Sequence, residues 1–333
     1  MFSELSPNQA KTFVDTEQAY RAYVDTQAKM QSYLGGMHWK TINHQQYLYR
    51  TLDSKGNAKS LGPRSAATEA VHAQFHQRRD ELEHRLKSQR ERLDEQRRMA
   101  RALRVGSAPP VLAEVCRALC EHDLMGKNVL IIGTNAIYAY EALAGVQLQG
   151  DVTATQDIDV LFKHQSRLTA AERGIGPEGF LGILQKVDKT FEISSTQAFR
   201  AINADGYMVD LIRQMPKPPW KQEPHNLGEA DPFMATDIPN MDWMLSAPSL
   251  RQFAIASNGM PFEMAVPDPR AFVLFKGWLS QQPEREPVKR TRDAAQAQVV
   301  AQILVERLPQ FPIVWDDLKA FPKKLIEWPK RMP

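Results

Sequence analysis

Between Thr155 and Phe162 the chain reads TQDIDVLF, two aspartates alternating with apolar residues over a strand-sized stretch. Side chains two positions apart on a strand leave the same face. Asp157 and Asp159 therefore emerge together, while Ile158, Val160 and Phe162 point into a core. Two carboxylates on one face repel each other unless a cation sits between them. Carboxylate oxygens suit Mg²⁺, which keeps waters and takes substrate phosphates as its remaining ligands. In GYMVDLIR a third acid, Asp210, occupies the same point of the pattern, between Val209 and Leu211. If its strand lies beside the first, three carboxylates converge. Such a trio holds two divalent ions about 4 Å apart, the usual arrangement for in-line phosphoryl transfer.

Upstream, VLIIGTNAIYAYEAL supplies a complementary part. An apolar strand over 128–132 runs into Gly133-Thr134, and a helix is expected over 135–144. Glycine lets the backbone approach a ligand closely, and a helix N-terminus offers free N–H groups and a positive dipole to a phosphate. Thr134 adds a hydroxyl able to donate to a phosphate oxygen. No Lys-Ser/Thr follows the glycine at the spacing of a Walker loop. Either motif alone says little. The order strand, Gly-Thr, helix, Asp-x-Asp strand, Asp strand is far more specific.

The rest of the chain divides around this unit into three expected domains: 1–106, 107–215 and 216–333. Residues 1–36 carry Phe13, Tyr20, Tyr23, Met30 and Leu34 at helical spacing, closed by Gly35-Gly36. Residues 37–61 alternate like a small hairpin or meander, with a turn at 54–57. Residues 65–104 form a long heptad-like helix with Phe75, Leu82, Leu86, Leu93, Ala100 and Leu103 on its seam and Gln89 and Gln96 at core-type positions. That thin seam suits either an antiparallel partner helix within 10–34 or a homodimer contact. Gly106-Ser-Ala-Pro-Pro110 marks a boundary. Beyond it, strands at 191–202 and 207–212 join at Ala204-Asp205-Gly206, and strands at 251–256 and 260–266 join at Asn258-Gly259. Helices are expected over 166–186 (after a loop), 269–282 and 290–307.

Composition sets bounds. A net charge of +3 does not by itself imply a nucleic-acid partner. The start, MFSELSPNQAK, lacks the pattern of a secretory signal, and no run of 18 apolar residues provides a membrane span. The two cysteines, Cys116 and Cys120, lie four apart on one predicted helix and read as small core residues. This cysteine usage fits a reducing cytoplasm. His72 and His76 have helical chelate spacing, but the accompanying Glu of a metalloprotease helix is missing.

The pattern h-G-[ST], D-h-D-h and a later h-D-h strand resembles the DNA polymerase β-like nucleotidyltransferase superfamily. The resemblance implies an α+β fold: a core of short mixed sheet with helices, flanked here by the N-terminal helical arm with its β-hairpin and by a mainly helical C-terminal domain. It implies that Gly133 and Thr134 grip a nucleoside triphosphate (NTP, with ATP among the candidates) and that Asp157, Asp159 and Asp210 hold two Mg²⁺, with Mn²⁺ an alternative. A narrower resemblance, to a bacterial branch of nucleotidyltransferase-fold proteins, covers most of the chain. It rests on Trp39-Lys40, Tyr47-Leu-Tyr-Arg50, Lys59-Ser-Leu-Gly62, Thr155-x-Asp-Ile-Asp159, Val266-Pro-Asp-Pro-Arg270 and Arg290-x-Arg-Asp-x-x-Gln296. Superfamily members usually place about ten residues between the Gly-Ser and the Asp-x-Asp; the longer interval here implies an insertion around 146–155 that loops out. Thr134 also replaces the commoner Ser.

By the same resemblance, Lys276 and Arg292 reach the triphosphate, and Asp293 either caps a helix or pairs with Arg290. Lys163 and Arg213 read as solvated strand ends. From Arg78 to Arg104 there are ten Lys/Arg against six Asp/Glu. This is either a salt-bridged helix face or a basic arm for RNA or another nucleic acid. Trp39, Tyr47 and Tyr49, interleaved with Lys40, Arg50, Lys55, Lys59 and Arg64, either fill a hairpin core or stack bases. The leading expectation is an enzyme transferring a nucleoside monophosphate from an NTP to a hydroxyl of an RNA end, protein or small molecule, with pyrophosphate release. Alternatives are a non-catalytic nucleotide-binding or toxin–antitoxin-like partner protein, and a DNA- or RNA-binding regulator.

Overall fold

The computed structural model describes residues 2–52, 57–148, 150–153, 155–163, 179–220, 233–312 and 318–326. Most of the turn expected at 54–57, the first part of the 166–186 segment, His164, His225 and much of the C-terminal tail lie outside these residues. The elements begin β1 (Phe2–Glu4), α1 (Pro7–Gln31), β2 (Met37–Ile42), β3 (Gln45–Thr51), β4 (Ala58–Pro63), α2 (Ala66–Ala102) and α3 (Pro110–Glu121). Next come β5 (Val129–Ile132), a 3-10 turn (Gly133–Ala136), α4 (Ile137–Ala144), β6 (Val146–Leu148), α5 (Gly150–Thr153), β7 (Asp157–Phe162) and α6 (Gly179–Val187). Then follow β8 (Glu192–Ile193), β9 (Arg200–Ile202), β10 (Met208–Gln214), β11 (Thr236–Ile238) and α7 (Met241–Ser246). The series closes with β12 (Ser249–Ile255), β13 (Pro261–Pro267), α8 (Pro269–Leu279), α9 (Pro287–Arg307) and α10 (Lys323–Ile326). This is a mixed α+β protein. None of the described helices is long and apolar enough to cross a membrane.

The chain forms two compact units, Lys11–Ala100 on the one hand and Met1–Ala10 with Arg101–Pro333 on the other. In the first, α1 and α2 run antiparallel: the Tyr33 ring lies 5.3 Å from that of Phe75, and the Tyr23 phenol hydrogen-bonds Arg90. Phe75, Leu82, Leu93 and Ala100 are buried along α2. The arm's charges include i,i+3 and i,i+4 pairs such as Arg78–Glu81 and Arg79–Glu83. Strands β2, β3 and β4 form an antiparallel meander. Two of its cations, Arg50 and Arg64, contact the unit itself. Arg50 donates to the carbonyls of Ser32 (3.0 Å) and Leu34 (2.7 Å) at the end of α1 and lies 4.7 Å from the Phe75 ring centre. Arg64 lies 5.2 Å from the Trp39 ring centre and pairs with Glu69.

The second unit is built on a six-stranded mixed sheet in the order β5-β7-β10-β9-β8, with β11 also paired to β10. Strand β5 is apolar at every position (VLII) and fully buried, which suits a strand covered on both faces. Strand β7 alternates as its sequence requires: Ile158 and Val160 are fully buried, Asp157 and Asp159 half-buried. The β12–β13 hairpin packs on β5, α3 and α4, and α8 packs against α9. Residues on both sides of position 216 share one core, including Val160, Leu211, Met264, Phe272 and Val300.

The insertion between the Gly-Thr turn and the acids does not loop out. Its β6 pairs antiparallel with β1 at the start of the chain, and α5 follows. Glu141 of α4 fastens this insertion to the boundary segment: the Ser107 hydroxyl donates to it at 2.6 Å and the Leu148 N–H at 3.3 Å. Burial raises the Glu141 carboxyl to about 7, against the two hydrogen bonds, which favour its charged form. A carboxyl raised on folding contributes stability that is complete below its unfolded pKa, 4.5, and is lost as pH climbs through about 7. Glu141→Gln removes this titration. Urea melts from pH 5 to pH 9 should show the variant gaining on the parent by up to about 2–3 kcal/mol at the alkaline end. Parallel pH profiles would dissociate Glu141 from the alkaline loss.

Candidate active site

Parallel pairing of β7 and β10 sets Asp210 directly beside Asp159, with Met208 beside Asp157. The three acids expected to converge are thus brought onto adjacent strands, in register, on one sheet face. On the other side of β10 the antiparallel β9 sets Arg200 opposite Asp210. The guanidinium grips that carboxylate as a two-pronged fork, Nε to Oδ1 at 2.7 Å and Nη2 to Oδ2 at 2.6 Å. Such charge-assisted pairs are about twice as strong as neutral hydrogen bonds. Asp157 accepts a short hydrogen bond from the Thr155 hydroxyl.

The β5–β7 register places Ile132 beside Asp159, so the following Gly133 lies over that aspartate. Gly133 adopts φ +64°, and a Cβ there would fall within the Asp159 carboxylate. The turn needs glycine for both reasons. It continues as a 3-10 turn, and α4 starts only at Ile137, two residues later than expected. Asn135, fully buried, donates from Nδ2 to the Asp157 carbonyl at 2.5 Å and ties the turn to the start of β7. Thr134 is buried and its Oγ1 accepts from Gln296 Nε2 at 3.0 Å.

Helices α8 and α9 carry the positive groups. Lys276 is buried and pairs with Asp293 at 2.7 Å, and Arg285 reaches the other oxygen of Asp293 at 2.9 Å. Asp293 therefore binds these two cations, where a cap or a pair with Arg290 was expected. Burial pushes the Lys276 ammonium below its ordinary value, opposed chiefly by Asp293 and then by Asp159. Asp159 shows the complementary effect. Burial first and the charge of Asp157 second raise its carboxyl to about 7, with Lys276 pulling the other way. Asp157 and Asp159 thus form a face whose negative charge is only partly compensated. Arg292 lies near Tyr138, whose phenol is raised mainly by burial and lowered slightly by that arginine.

Three other sequence expectations resolve here. Arg213 is not a solvated strand end: it is buried and paired at 2.5 Å with Asp237, its register neighbour on β11. Lys163 donates to the Gly126 carbonyl at 2.6 Å. His72 and His76 have ring centres 4.4 Å apart, and His76 contacts the Met37 carbonyl. Among the described residues no group of three His, Cys, Asp or Glu side chains is arranged to hold a metal ion. Both oxygens of Asp210 are engaged by Arg200.

Arg200, Asn135 and Arg285 are not among the residues the sequence pattern singles out, and Gln296 enters there only as part of a motif. Arg200 was within reach. A hairpin turning about Asp205 pairs residues whose numbers are symmetric around it, which sets Arg200 against Asp210. Asp293 and Gln296, one turn apart on α9, likewise share a face. Asn135 and Arg285 carry no comparable signal.

A family model described as nucleotidyltransferase matches residues 111–319, more than half of the chain and all of the residues just described around the acids. No curated protein and no solved structure matches.

Proposed function

Because the chain belongs to this nucleotidyltransferase family, and so is an enzyme of nucleotidyl transfer, we propose that it moves a nucleoside monophosphate from an NTP to a hydroxyl acceptor, releasing pyrophosphate in a Mg²⁺-dependent reaction. The observation that carries this reading is the register of Asp210 with Asp159, beneath the Gly133 turn. The donor set fits a hard divalent cation. Asp157 and Asp159 are carboxylates on one face, and the Asp159 carboxyl is raised to about 7 by burial first and by the charge of Asp157 second, so a divalent cation there would favour its charged form. Asp210 joins them once Arg200 lets go. Mg²⁺, or Mn²⁺ in its place, would lower the pKa of the acceptor hydroxyl and offset charge on the triphosphate.

The chain's own groups then have separate tasks. Gly133 lets the turn pass over Asp159, and Thr134 offers a polyphosphate a hydroxyl. Lys276 and Arg285, shared through Asp293, supply positive charge where charge builds on the leaving pyrophosphate. Asp210, freed from Arg200, would take the acceptor proton. The acceptor belongs to an RNA end, a protein or a small molecule.

Labelling tests both halves. The protein is incubated with each α-labelled NTP, Mg²⁺, and RNA and protein extracts, and transfer and pyrophosphate are followed together. Asp159→Ala should lower both by about a hundred- to a thousandfold, as loss of a charge-stabilising group does, while circular dichroism stays that of the parent. Undiminished turnover in a folded Asp159→Ala protein would reject the assignment of the acids.

A further inference from the structure

Gln296 is fully buried on α9, and its Nε2 donates to two acceptors, Thr134 Oγ1 and the Val152 carbonyl, each at 3.0 Å. The carbonyl can only accept, so the nitrogen must face this side and both amide hydrogens are committed. A threonine hydroxyl has one proton. Having received an N–H on a lone pair, it directs that proton away from Gln296. Among the described residues neither the buried Oε1 of Gln296 nor the buried Oδ1 of Asn135, beside Thr134 on the turn, has a hydrogen-bond partner. Burying an unpaired amide oxygen is unfavourable, and a leucine of similar volume would avoid that cost. Packing alone does not account for an amide here.

We infer that Gln296 is a positioning residue: it holds the Thr134 hydroxyl as an obligate donor toward a phosphate oxygen of the bound nucleoside triphosphate. This rests on the reading of the site as an NTP site. Three separated segments meet in the device. Residue 134 follows the glycine lying over Asp159, residue 152 belongs to the insertion, and residue 296 comes from the far end of the matched region. Its second hydrogen bond makes α5 the anchor that keeps the amide from rotating. The insertion thereby supports the phosphate turn from behind.

A double-mutant cycle on equilibrium binding tests the inference with the full chain, Mg²⁺ and each of the four NTPs in a calorimeter. Thr134→Val and Gln296→Leu should each weaken binding by about ten- to a hundredfold, the worth of a hydrogen bond to a charged group. The double variant should be no weaker than Thr134→Val alone. Gln296→Glu, whose carboxylate would draw the Thr134 proton to itself, should resemble Thr134→Val, whereas Thr134→Ser keeps the donor and should bind almost as the parent does. A purely structural glutamine would instead lower the melting temperature and weaken binding by the same factor with or without the Thr134 hydroxyl. That result, or undiminished affinity in Gln296→Leu, overturns the inference alone. A parent protein that binds none of the four NTPs overturns the nucleotide reading and this inference with it.

Discussion

Replacing Gly133 with alanine is expected to cost at least about a hundredfold in NTP turnover, the scale on which a displacement of about 1 Å at a reacting centre is felt. Two physical effects combine. The backbone at Gly133 sits at φ +64°, where an L side chain costs about 1–2 kcal/mol. The new methyl group would also occupy the space of the Asp159 carboxylate. Relief requires Asp159 to turn away or β5 to slide along β7, and both move the acid pair relative to the turn. Overpacking of this kind costs about 1–3 kcal/mol more. A thermal melt should therefore shift down by several degrees, and a turnover assay should fall far more than the melt suggests. Gly145, also at positive φ but with nothing within 4 Å of a Cβ, is the control: Gly145→Ala carries the backbone strain without the collision. If the two variants lose activity equally, contact between Gly133 and Asp159 is not what the turn provides.

This contrast shows what the sequence could and could not disclose. The alternation in TQDIDVLF fixed which side of β7 the acids occupy, because a strand has a period of two and no freedom to rotate one residue independently. The turns at 204–206 and 258–259 were legible for a local reason too, since few residues tolerate the backbone a tight hairpin demands. What stayed hidden depends on contacts across long separations. Strand β1 has three residues, too few to show a period, and takes its partner from β6 some 140 positions later. The pairing of Lys276 with Asp293 needs the packing of α8 on α9, which no local pattern encodes. The hairpin of the first unit was ambiguous in sequence because aromatic and basic residues serve a small core or a nucleic acid equally well. In the structure Arg50 is spent on the end of α1, and Arg64 on Trp39 and Glu69.

Arg200 poses the largest remaining energetic question at the acids, because it holds the carboxylate that the proposed chemistry needs. The side chain of Asp210 is 9% exposed and that of Arg200 25%. Deleting one member of a fully buried pair costs about 3–5 kcal/mol, since the other charge is left without water or partner. Arg200 is partly solvated, and the discounted expectation for Arg200→Ala is about 2–3 kcal/mol without divalent cations. Asp210→Asn in the same chain should recover most of that loss, as the stranded charge is gone. The decisive comparison adds Mg²⁺ or Mn²⁺ to each protein. In the parent, a cation must compete with the guanidinium for Asp210; in Arg200→Ala that competition is gone, and the three carboxylates stand on adjacent strands. Ligand binding stabilises by RT ln(1 + [L]/Kd), so the melting temperature of Arg200→Ala should climb more steeply with Mg²⁺ than that of the parent, and that of Arg200→Ala/Asp210→Asn much less. Equal slopes in all three proteins would mean that Asp210 takes no part in holding a cation and that its fork with Arg200 only joins two strands.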